Sequence, residues 1–142
     1  MRVFSEITDQ DLAQVITLWD RCDISSEKIS VADYVTAVRK SPAASIIVGR
    51  KNGDVVCGAM VGLVGQRGWI NDVCVDKVFQ RQGFGIAIVS AAENWLRRRG
   101  ASIIRLTLNE SFRNRFRWQM PLALPGNTRP ERTLNRTSST IH

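Results

Sequence analysis

The sequence predicts an α+β fold, in which a run of consecutive antiparallel strands precedes one long helix. Three segments, residues 45–50, 55–64 and 69–75, are rich in β-branched residues and are separated by turns that contain glycine. The following segment, residues 84–99, instead spaces its apolar residues as one buried helix face requires: Ile86, Val89, Ala92 and Leu96.

The N-terminal part predicts one strand and then two helices. Residues 2–4 form a short strand, and Thr8 is placed to cap a helix over residues 9–20, with acidic residues in its first turn. Ser30 is placed to cap a second helix over residues 31–40. The apolar residues of both helices follow helical spacing and are interpreted as core packing: Leu12, Val15, Ile16, Trp19, Tyr34, Val35 and Val38.

The middle of the chain predicts antiparallel hairpins. Asn52 and Gly53 suit a tight turn between two strands, because both residue types accept a positive φ at low cost. Gly58 and Gly62 lie inside the second of these strands, where glycine indicates a bulge or a closely approached backbone. Residues 65–68 form the next turn.

The end of the long helix is marked by Arg97, Arg98, Arg99 and Gly100. Positive charge stabilises the C-terminus of a helix, and glycine suits the residue just beyond it, so this cluster favours a helix end over a nucleic-acid patch. Residues 102–108 then predict a fifth strand.

The junction between residues 70–75 and the long helix has the features of an anion cradle. The amides of a helix N-terminus lack partners within the helix, and glycines such as Gly83 and Gly85 allow a ligand to approach the backbone closely. Neither the Walker A spacing nor the Rossmann glycine spacing is present in this stretch.

The motif Gln80-x-x-Gly83-x-Gly85 resembles the acetyl-CoA motif of the GCN5-related N-acetyltransferase (GNAT) family, and residues 73–76 resemble that family's fourth strand. The resemblance covers about residues 2–108. It implies a mixed, mostly antiparallel sheet flanked by helices. It also implies an acyltransferase that uses acetyl-CoA to acetylate a primary amine on a small molecule, protein or peptide. The fifth strand is expected to splay from the fourth, so that the pantetheine arm enters between them.

The resemblance also implies where acetyl-CoA and the reacting groups lie. The cofactor would be held mainly through backbone atoms of Val73, Cys74, Val75, Gln80, Arg81, Gln82, Gly83, Phe84, Gly85 and Ile86. Asp72 is the candidate general base, with a surface or turn-adjacent aspartate as the alternative interpretation. Asn109 is the candidate for orienting a water, because the tyrosine that the family commonly uses as general acid is absent from its expected place.

The resemblance ends after the fifth strand, which divides the chain into a domain over residues 1–110 and an atypical segment over residues 111–142. That segment is rich in Arg, Pro and Thr and is expected to be mostly irregular, with the family's last helix and strand missing or altered. A frame disruption near codons 109–112 is one explanation, and a lineage with a different C-terminus is the other. Re-sequencing of the gene distinguishes them.

Composition limits the classes of partner. The net charge of +7 belongs to the last third, since residues 1–96 hold 10 Lys and Arg against 11 Asp and Glu, whereas residues 97–142 hold 10 Arg against 2 Glu. A nucleic-acid partner is therefore not expected for the folded domain. No run of apolar residues approaches the ~20 that span a membrane, and no secretory leader is expected, so the cytoplasm is the expected location.

The three cysteines, Cys22, Cys57 and Cys74, match no zinc spacing and are expected to be buried or half-buried free thiols, and no metal is expected. Two alternatives to an active enzyme remain. One is a catalytically impaired, CoA-binding relative with a truncated or frame-altered C-terminus. The other is a nucleic-acid module in which arginines alternate with Phe112, Phe116 and Trp118. An uncovered sheet edge would also favour a homodimer.

Overall fold

The computed structural model describes residues 1–22 and 30–107 in full, and the backbone of one further strand at residues 131–134. Six strands form one sheet in the order β1-β2-β3-β4-β5-β6. The strands are β1 (Arg2–Glu6), β2 (Ala44–Lys51), β3 (Asp54–Val64), β4 (Arg67–Val75), β5 (Ile103–Thr107) and β6 (Glu131–Leu134). The helices are α1 (Leu12–Arg21), α2 (Val31–Lys40) and α3 (Phe84–Arg98), and 3-10 turns lie at Asp9–Asp11 and Lys77–Phe79.

The sheet is mixed and mostly antiparallel, as the sequence predicts. β1 to β4 pair in chain order as antiparallel neighbours, and β5 then pairs with β4 in parallel. The parallel pair requires a crossover, and α3 supplies it. The expected hairpin turn is also confirmed, since Asn52 and Gly53 both have positive φ, 53° and 89°.

The helices cover opposite faces of the sheet, which divides the core into two layers. One layer packs α3 against the sheet through residues such as Phe84, Ile88 and Leu96. The other packs α1 and α2 through residues such as Trp19 and Val35. Both layers bury apolar side chains almost completely, which is the main favourable term in folding.

The second helix begins at its predicted position, and the first α-helix begins three residues later than predicted. Ser30 caps α2 as predicted, because its hydroxyl accepts a hydrogen bond from the Asp33 amide at 3.1 Å. The first helix differs from its prediction, since residues 9–11 form a 3-10 turn and the α-helix itself begins at Leu12. A tighter turn at a helix N-terminus is common, because its first amides lack partners within the helix.

The two glycines inside β3 are confirmed as points of close approach. A Cβ atom on Gly58 would lie 2.5 Å from Cη2 of Trp19, and one on Gly62 would lie 2.0 Å from Cζ2 of Trp69. Indole rings therefore lie directly over the β3 backbone at both positions. Side chains larger than hydrogen are excluded there unless the rings move.

The C-terminal segment contains a strand that the sequence did not predict. β6 pairs antiparallel with β5, from Ile104 opposite Leu134 to Thr107 opposite Glu131. The composition of residues 111–142 indicated irregular backbone, but an edge strand needs only main-chain partners, and β5 supplies them. The candidate water-orienting residue, Asn109, and the predicted aromatic and arginine cluster lie outside the described residues.

Among the helices within the described residues, none has the length and apolar character needed to cross a bilayer. The longest, α3, has 15 residues.

Candidate active site

A bulge in β4 brings the candidate base into an unusual conformation. In the ladder between β3 and β4, Gly58 pairs with Cys74 but Met60 pairs with Asn71, so β4 contains one extra residue at this point. Asp72 lies in the bulge and has a φ of 55°, a left-handed conformation that is uncommon for residues other than glycine. Conformations of this kind persist where the surrounding structure holds them, and they concentrate at functional sites.

Two helices hold Asp72 in this conformation. The Tyr34 hydroxyl, on α2, donates a hydrogen bond to Oδ2 of Asp72 at 2.5 Å. The Trp19 indole N–H, on α1, donates to the backbone carbonyl of Asp72 at 3.0 Å. Both the side chain and the backbone of the bulge are therefore fixed by residues more than 35 positions away in the chain.

The protonation equilibria of this pair are shifted by their surroundings. Burial raises the pKa of the Asp72 carboxyl, and the hydrogen bond from Tyr34 opposes that rise. Burial also raises the pKa of the Tyr34 phenol well above its ordinary value, and the hydrogen bond to Asp72 and that residue's negative charge raise it further. The phenol is therefore protonated throughout the working range of pH and serves as a donor to Asp72.

The sequence did not place Tyr34 in the site. It is the single tyrosine of the chain, and its spacing on α2 indicated core packing at a distance from β4. The structure corrects that expectation, since Tyr34 reaches the bulge. The available clue was chemical: a tyrosine on a buried helix face needs a partner for its hydroxyl.

The cysteines also differ from their prediction. Cys22, at the end of α1, forms a disulfide with Cys74 of β4, with the two Cα atoms 6.3 Å apart. The expectation of free thiols is therefore wrong for these two residues, because spacing in the chain does not reveal which cysteines the packing of α1 on β4 brings together. Cys57 is free and buried as expected, and burial raises the pKa of its thiol to about 12.

The described pairing between β4 and β5 ends next to the bulge. Their parallel pairing runs from Arg67 opposite Ile103 to Ile70 opposite Leu106, whereas β4 continues to Val75. Within the described residues, the β5-facing edge of β4 beyond Ile70 has no ladder partner, since β5 ends at Thr107, one residue beyond the last pair. The splay that the resemblance implies therefore stays a prediction. An extended ligand chain can pair with such an edge through main-chain hydrogen bonds. Val73, Cys74 and Val75, the predicted pantetheine contacts, lie along this stretch.

The predicted pyrophosphate turn follows directly. Gln80 ties it to β4, since its side-chain amide donates to the Val75 carbonyl at 3.0 Å. Arg81 and Gly83 both have positive φ, 65° and 87°, and the three residues from Arg81 to Gly83 are exposed. Gly83 is the N-cap of α3 and provides no side-chain cap, as the predicted anion cradle requires.

The remaining predicted residues belong to the start of α3. Phe84 is buried and packs edge-on against Phe79, with ring centroids 6.0 Å apart, so its side chain anchors the helix. Gly85 is buried and Ile86 half-buried. These positions fit the predicted role in which backbone amides, and not side chains, face the ligand. The exposed turn and the uncapped start of α3 are therefore compatible with the predicted binding of the acetyl-CoA pyrophosphate through backbone amides.

Among the described residues, no group of three or more His, Cys, Asp or Glu side chains is arranged to hold a metal ion.

A family model and a curated relative both identify this chain as similar to acetyltransferases. The family model described as the Acetyltransferase (GNAT) family matches residues 12–116. A curated acetyltransferase of Pectobacterium atrosepticum is 29% identical over 110 residues, which cover 78% of this chain and 76% of that protein.

Solved structures share the fold at lower identity. The ribosomal-protein-S18-alanine N-acetyltransferase of Escherichia coli superposes with a TM-score of 0.65 at 19% identity, covering 84% of this chain and 76% of that one. The PaiA N-acetyltransferase of Thermoplasma acidophilum, solved in complex with coenzyme A, gives 0.67 at 10% identity, with 92% and 95% covered. The chain therefore belongs to the GNAT acetyltransferase family and is an acyltransferase.

Proposed function

We propose that this chain transfers the acetyl group of acetyl-CoA to a primary amine of a small molecule, a protein or a peptide. The observation that carries the proposal is the alignment of three features along β4: the bulge at Asp72, the strand edge beyond Ile70, and the glycine turn before α3. Each feature suits a different part of the reaction, and they follow one another within 15 residues of chain.

Different groups of the chain would bind acetyl-CoA and accept the proton of the amine. Amides of the turn from Arg81 to Ile86 would bind the pyrophosphate, and the β4 backbone at residues 73–75 would pair with the pantetheine arm. Acetyl-CoA supplies the activated thioester. The Asp72 carboxylate would accept the proton of the attacking amine, directly or through a water, which is the usual task of a positioned carboxylate. Asn109 remains the proposed water-orienting residue.

The proposal is tested by calorimetric titration of acetyl-CoA into the full chain. Gly83→Trp should abolish micromolar binding, because an indole would fill the anion cradle. Gly65→Trp is the matched control: Gly65 also has positive φ, 61°, but lies in the turn between β3 and β4. If both variants lose binding, the effect is explained by misfolding and not by the anion cradle.

Acetyl transfer is then followed with a panel of primary amines, by release of the CoA thiol. Transfer supports the proposed activity. Binding without transfer to any amine would favour the alternative, a catalytically impaired CoA-binding relative with an altered C-terminus. A well-folded chain that binds no acetyl-CoA would overturn the proposal. RNA binding that is lost on deleting residues 110–142 would instead support the nucleic-acid alternative.

Location and assembly are also part of the proposal. We propose the cytoplasm as the location, as expected from the sequence, and the Cys22–Cys74 disulfide is unusual for that compartment. Alkylation of free thiols in cell lysates would show its state. A homodimer through the sheet edge has less support than the sequence indicated, because β6 covers β5, and sedimentation measurements would test it.

A further inference from the structure

The Asp72 carboxylate has two oxygens, and the structure assigns them different surroundings. Oδ2 accepts the hydrogen bond from Tyr34 at 2.5 Å. Within residues 1–22 and 30–107, no second hydrogen bond is formed to this carboxylate. The side chain is half-buried, so its other oxygen is held at a defined position without a partner from the described part of the protein.

We propose that Tyr34 is a positioning residue for acetyl transfer: its hydroxyl holds one oxygen of Asp72, so that the other oxygen is presented to the acceptor amine. This inference rests on the proposed function, because it assumes that Asp72 is the base. It goes beyond that function by assigning a role to a residue of α2, a helix that contains none of the predicted site residues.

The hydrogen bond has a clear direction. Because its pKa is raised by burial and by Asp72, the Tyr34 phenol retains its proton and acts as a fixed donor. A phenol of this kind is poorly suited to give up a proton during turnover, since an effective acid has a pKa near the working pH. Its action is therefore on Asp72, where a donor favours the ionised carboxylate that burial disfavours.

Other groups around Asp72 do not titrate in a way that would obscure this effect. From α1, Trp19 donates to the Asp72 carbonyl, and the sulfur of Cys22 is bound in the disulfide with Cys74. From β3, the residues opposite the bulge are Gly58 and Met60, which carry no charge. Tyr34 is the titratable side chain among the described residues that contacts the carboxylate.

The test is the pH dependence of kcat/KM for the amine in Tyr34→Phe, which keeps the ring and removes the hydroxyl. A carboxylate base acts when it is ionised, so the pH profile should have an acidic limb, in which kcat/KM falls as Asp72 is protonated. Loss of the donor should raise the pKa of that limb by about one unit. At pH values below that pKa, kcat/KM of Tyr34→Phe should be about tenfold lower than that of wild type. The acetyl-CoA dissociation constant should stay within about twofold of wild type. Thr36→Val is the matched control, because it removes an exposed hydroxyl from the same helix, and among the described residues that hydroxyl donates to the Ala32 carbonyl and does not contact Asp72.

The single tyrosine permits a second measurement that does not depend on the folding of Tyr34→Phe. Protein grown with 3-fluorotyrosine carries the label only at position 34, and fluorine makes the phenol a stronger donor. The acidic limb should therefore move to lower pH, opposite to the Tyr34→Phe shift. The fluorine resonance should also titrate with the pKa of that limb.

The outcomes separate the two levels of the proposal. An active wild type whose pH profile is unchanged both in Tyr34→Phe and with fluorotyrosine overturns the inference alone. A wild type that binds acetyl-CoA but transfers no acetyl group overturns the proposed function and the inference with it. Opposite shifts of the limb in the two proteins, with the Thr36→Val profile unchanged, are the expected result.

Discussion

Arg2 and Gln82 lie 80 positions apart in the chain, yet Nη2 of Arg2 donates a hydrogen bond to the Gln82 carbonyl oxygen at 3.0 Å. The same guanidinium lies over the ring of Phe84, 4.2 Å from its centroid. The first strand of the sheet therefore supports the turn that is proposed to bind pyrophosphate, and it does so from both sides of Gly83.

We expect Arg2→Ala to weaken acetyl-CoA binding by about threefold to tenfold, because an exposed hydrogen bond and a cation–π contact that order the turn are lost. Calorimetry measures the change. Arg2→Lys keeps the charge but not the planar fork, so it should recover only part of the affinity. Arg67→Ala, at the far end of β4, is the control and should bind as wild type does. Equal affinities in Arg2→Ala and wild type would contradict the prediction.

Gly83→Ala should affect both stability and binding, and the reason is backbone strain. A Cβ atom there would meet nothing closer than Nη1 of Arg2 at 3.9 Å, but the φ of 87° is unfavourable for alanine. We expect about 1 kcal/mol of destabilisation, or a few degrees in Tm, with weaker acetyl-CoA binding.

Gly65→Ala is the matched variant, since its φ is 61° and its surroundings are equally open. It should lose similar stability and keep its affinity for acetyl-CoA. If both variants lose affinity to the same degree, the effect of Gly83 is global and not local to the turn.

Gly58→Ala should disturb the site through Trp19. The added methyl would overlap the indole, whose N–H holds the Asp72 carbonyl. We expect a loss of about 1–3 kcal/mol in stability and a fall in kcat at saturating acetyl-CoA that exceeds the loss of acetyl-CoA affinity. Steady-state kinetics separates the two, and a variant whose kcat is unchanged would show that the bulge does not depend on Trp19.

The Cys22–Cys74 disulfide should make stability depend on redox conditions. It links residues 52 positions apart, and the chain-entropy description gives about 4 kcal/mol for a loop of that length. Thermal melts with and without dithiothreitol should therefore differ by several degrees for wild type. Cys22→Ser should melt at the lower temperature in both conditions. Cys57→Ala, which removes the free thiol, should show the same difference in melting temperature as wild type. If wild type melts at the same temperature with and without dithiothreitol, the result would argue against the disulfide.

Asp11 and Arg50 should contribute stability that is lost in acid. Nε of Arg50 donates to Oδ1 of Asp11 at 3.0 Å, and this bonding holds the pKa of the Asp11 carboxyl below its ordinary value. A carboxyl pKa that is lower in the folded than in the unfolded state stabilises the folded protein at pH values above the unfolded-state pKa, near 4. That stability is lost as the pH falls through the folded-state pKa.

Asp11→Asn should therefore destabilise the protein by about 3 kcal/mol at pH 7, since it leaves a largely buried guanidinium without its charge partner. The difference from wild type should shrink as pH falls below about 4. Asp9→Asn is the comparison, because the Asp9 side chain is 90% exposed and its ion pair with Arg39 should contribute little. A pH-independent difference for Asp11→Asn would exclude the ionic explanation.

Much of the fold could be predicted because the relevant information is local. Strand, turn and helix patterns repeat over a few residues, so the boundaries of α2 and α3 agree with the prediction to within one residue. The acetyl-CoA motif is local for the same reason, since its turn and helix start follow each other directly. The strand β6 was missed because a short edge strand depends on a partner strand and has little pattern of its own.

By itself, the sequence determined the α+β class, the order of the elements from β1 to β5, the glycine turn before α3 and the candidate base on β4. Only the tertiary structure decided what surrounds that base. Tyr34, Trp19 and Cys22 come to the bulge from α1 and α2 because both helices bury their apolar faces on the same side of the sheet. Contacts between residues this far apart depend on packing geometry, which spacing along one chain does not encode.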